Sequence, residues 1–301
     1  MNYSPRHKLP ILPHHEAGQI LLGLIGEGIA PSLTPHMQMQ EGRAQGLNIR
    51  YDLFDLPTLG LAVVDLPHLL AEIERAGYAG VNVTHPCKQA VIPLLDELSE
   101  EARILGAVNA ILFKAGKRIG YNTDWSGFSE SFQRSLDKAD MTHAVQLGAG
   151  GAGSAVAFAL LRLGAKTLTL VDVDSGRAEA LAARYAPLFP EAHIAVANSP
   201  DLLLQSATGL VNCTPMGMAA YPGLPLSATL LRKSLWVAEI VYFPLETALI
   251  KAARALGCRV SHGGGMAVFQ AAGAFSLFTG FVPDAERMLG HFSALGETRR
   301  N

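Results

Sequence analysis

The chain has 301 residues, 49% of them hydrophobic and 17% charged, a balance that suggests about two globular domains and excludes a disordered protein. A net charge of −2 argues against a nucleic-acid-binding protein, which would carry a basic face. Three cysteines, at positions 87, 213 and 258, are too widely spaced for a disulfide framework or a zinc cluster. Since no apolar stretch reaches membrane-spanning length and the N-terminal segment lacks a signal-peptide core, we expect a cytoplasmic protein without membrane or nucleic-acid partners.

Strands and helices alternate through the first 125 residues, after an arm at 1–18 that is rich in proline and histidine. Apolar runs and their punctuation by glycine and proline predict an α/β domain here. Strands are expected at 21–25, 49–53 and 80–84, helices at 35–46, 67–76 and from Pro86 onward, and a hairpin at 110–113 and 118–121 with Gly116 in its turn.

A second domain is expected after a helical connector at 125–140. Strands and helices alternate there at a spacing typical of a parallel sheet covered by helices on both faces. A last helix, 267–281, is expected to return to the first domain, which gives domains of 1–125 with 267–301 and of 126–266. The predicted strands are 143–147, 167–172, 193–197, 209–212, 236–241 and 258–261, and the helices are 151–163, 176–186, 200–205, 228–232 and 246–256.

A glycine-rich turn between the first strand and the first helix of the second domain is the clearest motif. Gly148 permits a tight turn, Gly150 lets the backbone approach a pyrophosphate, and Gly153 allows close packing of helix and strand. Asp172 ends the next strand 24 residues after Gly148, near the expected spacing of about 20. Together these features predict a Rossmann-like, doubly wound dinucleotide-binding domain. A carboxylate at Asp172 accepts hydrogen bonds from the ribose hydroxyls and repels a 2′-phosphate, so NAD is predicted and NADP is disfavoured.

Polar side chains follow the predicted strands of the first domain, where open α/β sheets bind ligands. Together they suit a small polyol, and Lys88 with Asp124 would form one acid–base pair. Each also has a plain structural explanation as a helix cap, a solvated lysine or a turn former. His85 and Cys87 have no second histidine or cysteine cluster to complete a metal site, so no metal is expected. The polar set is Ser32, Thr34, Thr84, Lys88, Asn109 and Asp124.

The ordered set of motifs resembles the shikimate/quinate dehydrogenase family over nearly the whole chain. The resemblance implies an N-terminal α/β substrate-binding domain followed by the dinucleotide domain. It rests on Gly23–Gly26 with Ser32-Leu-Thr34-Pro35, Asn82-Val-Thr-His-Pro-Cys-Lys88, Leu105-Gly-Ala-Val-Asn109, Asn122-Thr-Asp124, Gly148-Ala-Gly-Gly151, Asn212-Cys-Thr-Pro-Met-Gly217, Val241-Tyr242 and Gly265-Met-Ala-Val-Phe-Gln270.

The resemblance also implies a role for each matching residue. Lys88 and Asp124 would be the catalytic pair at the oxidised hydroxyl. Ser32 and Thr34 would hold the substrate carboxylate with Tyr242 nearby, and Thr84, Asn109 and Gln270 would bind ring hydroxyls. Thr214, Met216 and Gly217 would line the nicotinamide side, although ordinary core packing explains Met216 equally well. The full cofactor-binding set is Gly148, Ala149, Gly150, Gly151, Ala152, Asp172, Thr214, Met216, Gly217 and Gly265.

Two departures from the family pattern refine this interpretation. Most members carry Ser-x-Ser-Pro, and Thr34 in the third position of that motif resembles the quinate-using branch. NADP-using members place Asn-Arg-Thr after the second strand of the dinucleotide domain, whereas this chain has Asp172-Val173-Asp174. The implied activity is NAD-dependent oxidation of the C3 hydroxyl of shikimate or quinate.

Other functions remain open at this point. An aminoshikimate or related cyclitol-acid dehydrogenase of the same family would use the same residues. A non-catalytic ligand sensor would have no need to keep both Lys88 and Asp124. A folate-linked dehydrogenase would not explain the presence together of Ser32, Thr34, Asn109 and Gln270. The only partner expected besides the cofactor is a small-molecule substrate, and family members occur as monomers and homodimers.

Overall fold

The computed structural model describes residues 18–298, so the predicted arm lies, apart from Gly18, outside the described residues. Two compact units are present. Unit 1 contains the described residues up to Thr123 and those from Ala271 onward, and unit 2 contains Asp124–Gln270. This division lies within a few residues of the predicted boundaries, and the assignment of a substrate and a cofactor to the two units stays a prediction.

Helices and strands alternate along both units. Unit 1 begins with β1 (Ile20–Gly26), α1 (Thr34–Ala44), β2 (Ile49–Asp55), α2 (Leu66–Arg75), β3 (Gly80–Val83), α3 (Cys87–Ala90), β4 (Glu97–Leu98), α4 (Glu100–Leu105), β5 (Ala110–Lys114) and β6 (Lys117–Tyr121). Unit 2 follows with α5 (Asp124–Ser135), β7 (His143–Leu147), α6 (Gly151–Arg162), β8 (Thr167–Val171), α7 (Ser175–Tyr185), β9 (His193–Ala197), β10 (Gly209–Asn212), β11 (Trp236–Glu239), α8 (Ala248–Ala255) and β12 (Arg259–Ser261). The unit boundary falls inside α9 (Gly263–Thr279), and α10 (Ala285–Thr298) belongs to unit 1.

Unit 1 is built on a six-stranded mixed sheet in the order β2-β1-β3-β5-β6-β4. Adjacent strands run parallel except β3 with β5 and β5 with β6, the predicted hairpin. Because successive side chains of a strand point to opposite faces, the sheet has two cores. One contains Leu21 with Leu69 and Leu70 of α2, and the other contains Leu22 with Phe275 of α9.

Unit 2 is built on a six-stranded sheet in the order β12-β11-β10-β7-β8-β9, with every pair parallel. When the strands are numbered from β7, the first strand of this unit, their order is that of a doubly wound sheet. This strand order confirms the predicted fold class. The strand order reverses between β7 and β10. Ligands of such sheets bind at the carboxyl ends of the strands beside this reversal.

Several predicted elements are shorter in the structure than the sequence suggested. The helix expected from Pro86 ends after four residues, and the helices expected at 200–205 and 228–232 are 3₁₀ turns, Leu203–Gln205 and Ala228–Leu230. The connector helix stops at Ser135, before Lys138 adopts a left-handed φ of 55°. Short apolar segments carry too little periodic signal to separate a single turn from a helix.

Three elements of unit 1 have no counterpart in the sequence prediction: β4, α4 and α10. Helix α10 is attached to α1 by an ion pair, in which Arg287 Nη2 lies 2.7 Å from Glu41 Oε1. Glu41 is fully buried and also accepts the Asp284 N–H at 2.8 Å. Across the described part of the chain, no helix combines the length and apolarity needed to cross a bilayer.

Candidate functional site

The turn between β7 and α6 can be formed only with glycine at its first position. Gly148 has a φ of +92°, and a Cβ atom there would lie 2.9 Å from the carbonyl carbon and oxygen of Cys213. A side chain would therefore meet both backbone strain and a steric clash. The contact also brings the turn after β7 against the segment after β10, on either side of the reversal in strand order.

The next part of the turn is held by close packing and by a buried amide. A Cβ on Gly153 would lie 2.3 Å from the carbonyl oxygen of Gly148. Gln146 is fully buried, and its Nε2 donates to the carbonyl oxygens of Gly148 and Gly153 at 2.8 Å each. The two ends of the turn are thereby fixed to each other.

In contrast, the outer side of the turn is open. A Cβ on Gly150 or on Gly151 would have no atom within 4 Å, and these residues begin the 12-residue helix α6. The first N–H groups of a helix have no partner within it and carry the positive end of its dipole. The residues from Gly148 to Ala152 therefore fit the pyrophosphate of a dinucleotide.

Exchanging the glycines of this turn should separate its packing role from its binding role. Gly150→Ala is expected to leave the melting temperature nearly unchanged and to weaken dinucleotide binding, because the added methyl group occupies only the open side. Gly153→Ala is expected to destabilise the protein, since its methyl group meets backbone. Thermal unfolding and dinucleotide titration of both variants test this, and equal binding by Gly150→Ala and the wild type would place the pyrophosphate elsewhere.

Asp172, directly after β8, is hydrogen-bonded to the glycine-rich turn. Its Oδ2 accepts the Ala149 N–H at 2.6 Å, and its Oδ1 accepts the Asp174 N–H at 2.9 Å. Val173 is fully exposed between the two carboxylates. Arg177 is in the first turn of α7, and its Nε lies 3.1 Å from Oδ2 of Asp174. The cationic side chain closest in sequence to Asp172 is thus paired with an acid.

The segment after β10 forms a compact turn held by the buried amide of Asn212. Asn212 Oδ1 accepts from the Thr214 hydroxyl at 2.7 Å and from the Thr214 N–H at 3.1 Å, while its Nδ2 donates to the Met216 carbonyl at 2.9 Å. Gly217 follows with a φ of +104°. Met216 is half-buried, so its thioether is neither a core side chain nor fully exposed.

A buried carboxylate lies beneath this turn and was not predicted. Glu239 is 2% exposed, and its two oxygens lie 3.0 and 3.1 Å from Asn212 Nδ2. Burial raises the pKa of Glu239 to about 7, although hydrogen bonds from its neighbours lower it in part. The sequence carried only a weak signal for it, since Glu239 ends an apolar strand much as Asp172 directly follows one.

In unit 1, the structure brings Asn109 to the end of β6. The Asn109 Oδ1 accepts the Thr123 N–H at 2.7 Å, and its Nδ2 lies 3.0 Å from the Thr123 hydroxyl. Asn122 donates from Nδ2 to the Ala107 carbonyl at 3.0 Å. These bonds fix the residues that immediately precede Asp124 in the chain.

The other predicted residues of unit 1 lie after β1 and β3. Ser32 Oγ accepts the Thr34 N–H at 3.3 Å, but the N-cap of α1 is Leu33 and has no side-chain cap bond, so neither Ser32 nor Thr34 caps this helix. Thr84 follows β3, and a Cβ on Gly26 would lie 2.4 Å from its methyl group. Lys88 is half-buried in α3.

The described residues contain no cluster of cysteine, histidine and acidic side chains that would form a metal site, and Cys87 is itself a poor ligand. Burial raises the pKa of the Cys87 thiol to about 11, so the thiolate that a metal would need is disfavoured at neutral pH. Over residues 18–298 there is no group of three or more histidine, cysteine, aspartate or glutamate side chains that could hold an ion.

Four further predicted site residues also belong to unit 2. Asp124 is buried at the first residue of α5, Tyr242 is 44% exposed, and Gln270 Nε2 donates to the Ala267 carbonyl at 3.0 Å. A Cβ on Gly265 would lie 2.1 Å from the Ser131 hydroxyl, so helix packing alone already requires that glycine. The predicted catalytic pair is divided, with Lys88 in unit 1 and Asp124 in unit 2, and its pairing stays a prediction.

Comparison with known proteins agrees with this arrangement of motifs. A family model described as the shikimate dehydrogenase substrate binding domain matches residues 24–111. The chain is 49% identical to "Shikimate dehydrogenase (NADP(+))" of Arthrobacter sp. (strain FB24), over 93% of this chain and 97% of the relative. It is 47% identical to "Quinate/shikimate dehydrogenase (NAD(+))" of Corynebacterium efficiens, over 92% of this chain and 98% of the relative.

A solved structure extends the likeness to the whole fold. The quinate dehydrogenase from Corynebacterium glutamicum in complex with NAD superposes with a TM-score of 0.88 at 44% identity, covering 92% of this chain and 99% of that one. Identities of this size over almost the full length of both chains exceed what a shared fold alone would give. The protein belongs to the shikimate dehydrogenase family.

Proposed function

We propose that the protein oxidises the C3 hydroxyl of shikimate, of quinate or of both to the 3-dehydro acid, with NAD as the hydride acceptor. The relatives' names divide between NADP and NAD at nearly equal identity, 49% and 47%, so overall similarity does not choose the cofactor. The observation that carries the proposal is the Asp172 carboxylate, bonded to the glycine-rich turn where NADP-using members have the sequence Asn-Arg-Thr.

The charges around this position favour a ribose without a 2′-phosphate. Asp172 and Asp174 place two carboxylates at the end of β8, and the Arg177 guanidinium is already paired with Asp174. A 2′-phosphate would meet like charge there, whereas ribose hydroxyls can donate hydrogen bonds to the carboxylate of Asp172.

The chain's own residues supply binding and proton transfer. When bound, the nicotinamide ring accepts the hydride. Lys88 and Asp124 share the hydroxyl proton, and the lysine ammonium stabilises the charge that develops on the oxygen, so no metal is needed.

Substrate orientation falls to polar side chains at the strand ends. Ser32 and Thr34 hold the ring carboxylate together with Tyr242. Asn109 and the side chains of Thr84 and Gln270 bind the ring hydroxyls. Asn109 is supported in this role by its two bonds to Thr123, which fix its amide.

Initial rates for quinate and shikimate with NAD and with NADP test the proposal directly. At alkaline pH, where release of the hydroxyl proton is favoured, we expect activity with NAD on one or both acids and little with NADP. The ratio of the two acids measures the contribution of Thr34, and Thr34→Ser should move it towards shikimate. Inactivity in all four combinations would exclude the proposed reaction and favour an amino-substituted ring substrate or a ligand sensor.

A further inference from the structure

The buried carboxylate of Glu239 connects two loops of unit 2 at the carboxyl edge of the sheet. One is the β10 loop, residues 213–217, and the other is the β11 loop, residues 240–247. Glu239 Oε1 accepts from Asn212 Nδ2 and from the Val241 N–H, both at 3.0 Å. Its Oε2 accepts from Asn212 Nδ2 at 3.1 Å and from the Thr247 hydroxyl at 3.3 Å.

On the side of the β10 loop, Glu239 holds the Asn212 amide in the orientation that the Thr214 N–H and the Met216 carbonyl also require. Above its pKa of about 7 the Glu239 carboxylate is ionised, so it accepts hydrogen bonds and donates none, and it too faces the NH₂ group of Asn212. In that orientation the amide donates to the Met216 carbonyl and accepts from Thr214, and both ends of the turn are held. An inverted amide would lose its bonds to Glu239, to the Met216 carbonyl and to the Thr214 N–H, and could keep only the Thr214 hydroxyl, which can also accept.

On the side of the β11 loop, Glu239 holds both ends. The Val241 N–H immediately precedes Tyr242. The Thr247 hydroxyl donates to Glu239 and also accepts the Ile250 N–H at 3.2 Å, which caps α8. Gly217 of the other loop lies against the same contact, because a Cβ there would be 3.4 Å from Thr247 and 3.7 Å from Glu239 Oε2.

Burying a carboxylate in this position costs free energy unless hydrogen-bond donors surround it. Its burial raises its pKa to about 7, and donors on Asn212 and in the β11 loop offset part of that penalty. Glutamine would have the same shape but one acceptor fewer and two donors more, so it would lose the second contact to Asn212 and keep Thr247 only if that hydroxyl turned to accept.

We propose that Glu239 is a positioning residue, which sets the β10 loop and the β11 loop, and hence Thr214, Met216 and Tyr242, relative to each other. This inference rests on the proposed function, in which the first loop borders the nicotinamide and the second carries a substrate contact. Glu239 touches neither ligand in this scheme and acts through Asn212 and Thr247.

Three variants test the role. Glu239→Gln is expected to raise the dissociation constant for NAD and to lower kcat, each by about tenfold, as expected for losing one or more hydrogen bonds to a charged group. Glu239→Asp keeps every acceptor on a side chain one methylene shorter and should recover part of both losses. Leu204→Ala, a buried site elsewhere in the unit 2 core, supplies a control that loses stability without touching either loop.

The readouts are the melting temperature, the NAD dissociation constant without substrate, and kcat and KM for NAD with quinate and shikimate. Wild-type dissociation constant and kcat in Glu239→Gln would overturn the proposal, as would equal kinetic losses in Leu204→Ala at a matched fall in melting temperature. If Glu239→Gln does not fold, a comparison of Thr247→Val with Thr247→Ser tests the role instead, because only Thr247→Val removes the hydroxyl that donates to Glu239. Equal kinetics in these two variants would overturn the proposal. A wild type that binds NAD but oxidises neither acid would disprove the proposed function, while the binding data would still decide the role of Glu239.

Discussion

Replacing Lys88 by methionine is expected to lower kcat by about 10² to 10⁴-fold, the range for loss of a positioned acid–base group. Methionine keeps most of the unbranched stem and removes the ammonium, so packing around α3 is conserved. Lys88 belongs to unit 1 and the glycine-rich turn to unit 2, so the dissociation constant for NAD should stay at the wild-type value. Steady-state rates with quinate and shikimate, together with NAD titration, measure both effects.

Gln89→Met is the matched control for this substitution. Gln89 is the next residue of the same four-residue helix and is exposed, so the variant introduces the same side chain without removing the ammonium. It should retain wild-type rates. Turnover close to the wild type in Lys88→Met would show that another group carries the proton, and an equal loss in both variants would attribute the effect to disruption of α3.

The sequence predicted the parts of the fold that repeat a regular pattern. The apolar strand, glycine-rich turn, helix and acid-terminated strand from β7 to Asp172 are local in the chain. Gly148 is required there by its positive φ, and Gly153 by the nearby Gly148 carbonyl. The short pair β4 and α4 was not predicted, because a two-residue strand has no periodicity and is defined only by its partner, β6. Helix α10 was missed even though it is amphipathic and carries Arg287, which pairs with Glu41 far away in the sequence.

The candidate site shows the same division between local and long-range information. Gly148 and Asp172 could be identified from spacing alone. Glu239 could not, because a glutamate at the end of a strand is usually solvated, and its burial depends on Asn212 and Thr247 packing around it. Family motifs predict which residues surround the substrate, but they contain no information on the hydrogen bonds that hold those residues in place.

The cofactor preference should be reversible through two residues at the end of β8. Val173→Arg introduces a guanidinium at a fully exposed position, so no packing is lost, and it should raise kcat/KM for NADP by about tenfold or more. Adding Asp172→Asn removes the charge that repels the phosphate and weakens the bonds to ribose. Hydrogen bonds to charged groups contribute about 1.5–3 kcal/mol, so kcat/KM for NAD should fall by about 10- to 100-fold and the preference should invert.

Asparagine is preferred to alanine at position 172 because Asp172 also accepts the Ala149 and Asp174 N–H groups, and an amide oxygen can keep one of these bonds. Val64→Arg, at a residue 70% exposed in unit 1, adds the same charge to the unit that does not contain the turn and should leave both cofactors unaffected. Measuring kcat/KM for NAD and NADP in all four proteins gives the change in preference as a ratio. An unchanged ratio in the double variant would show that Asp172 does not select the cofactor, and the NAD assignment would then lose the observation on which it rests.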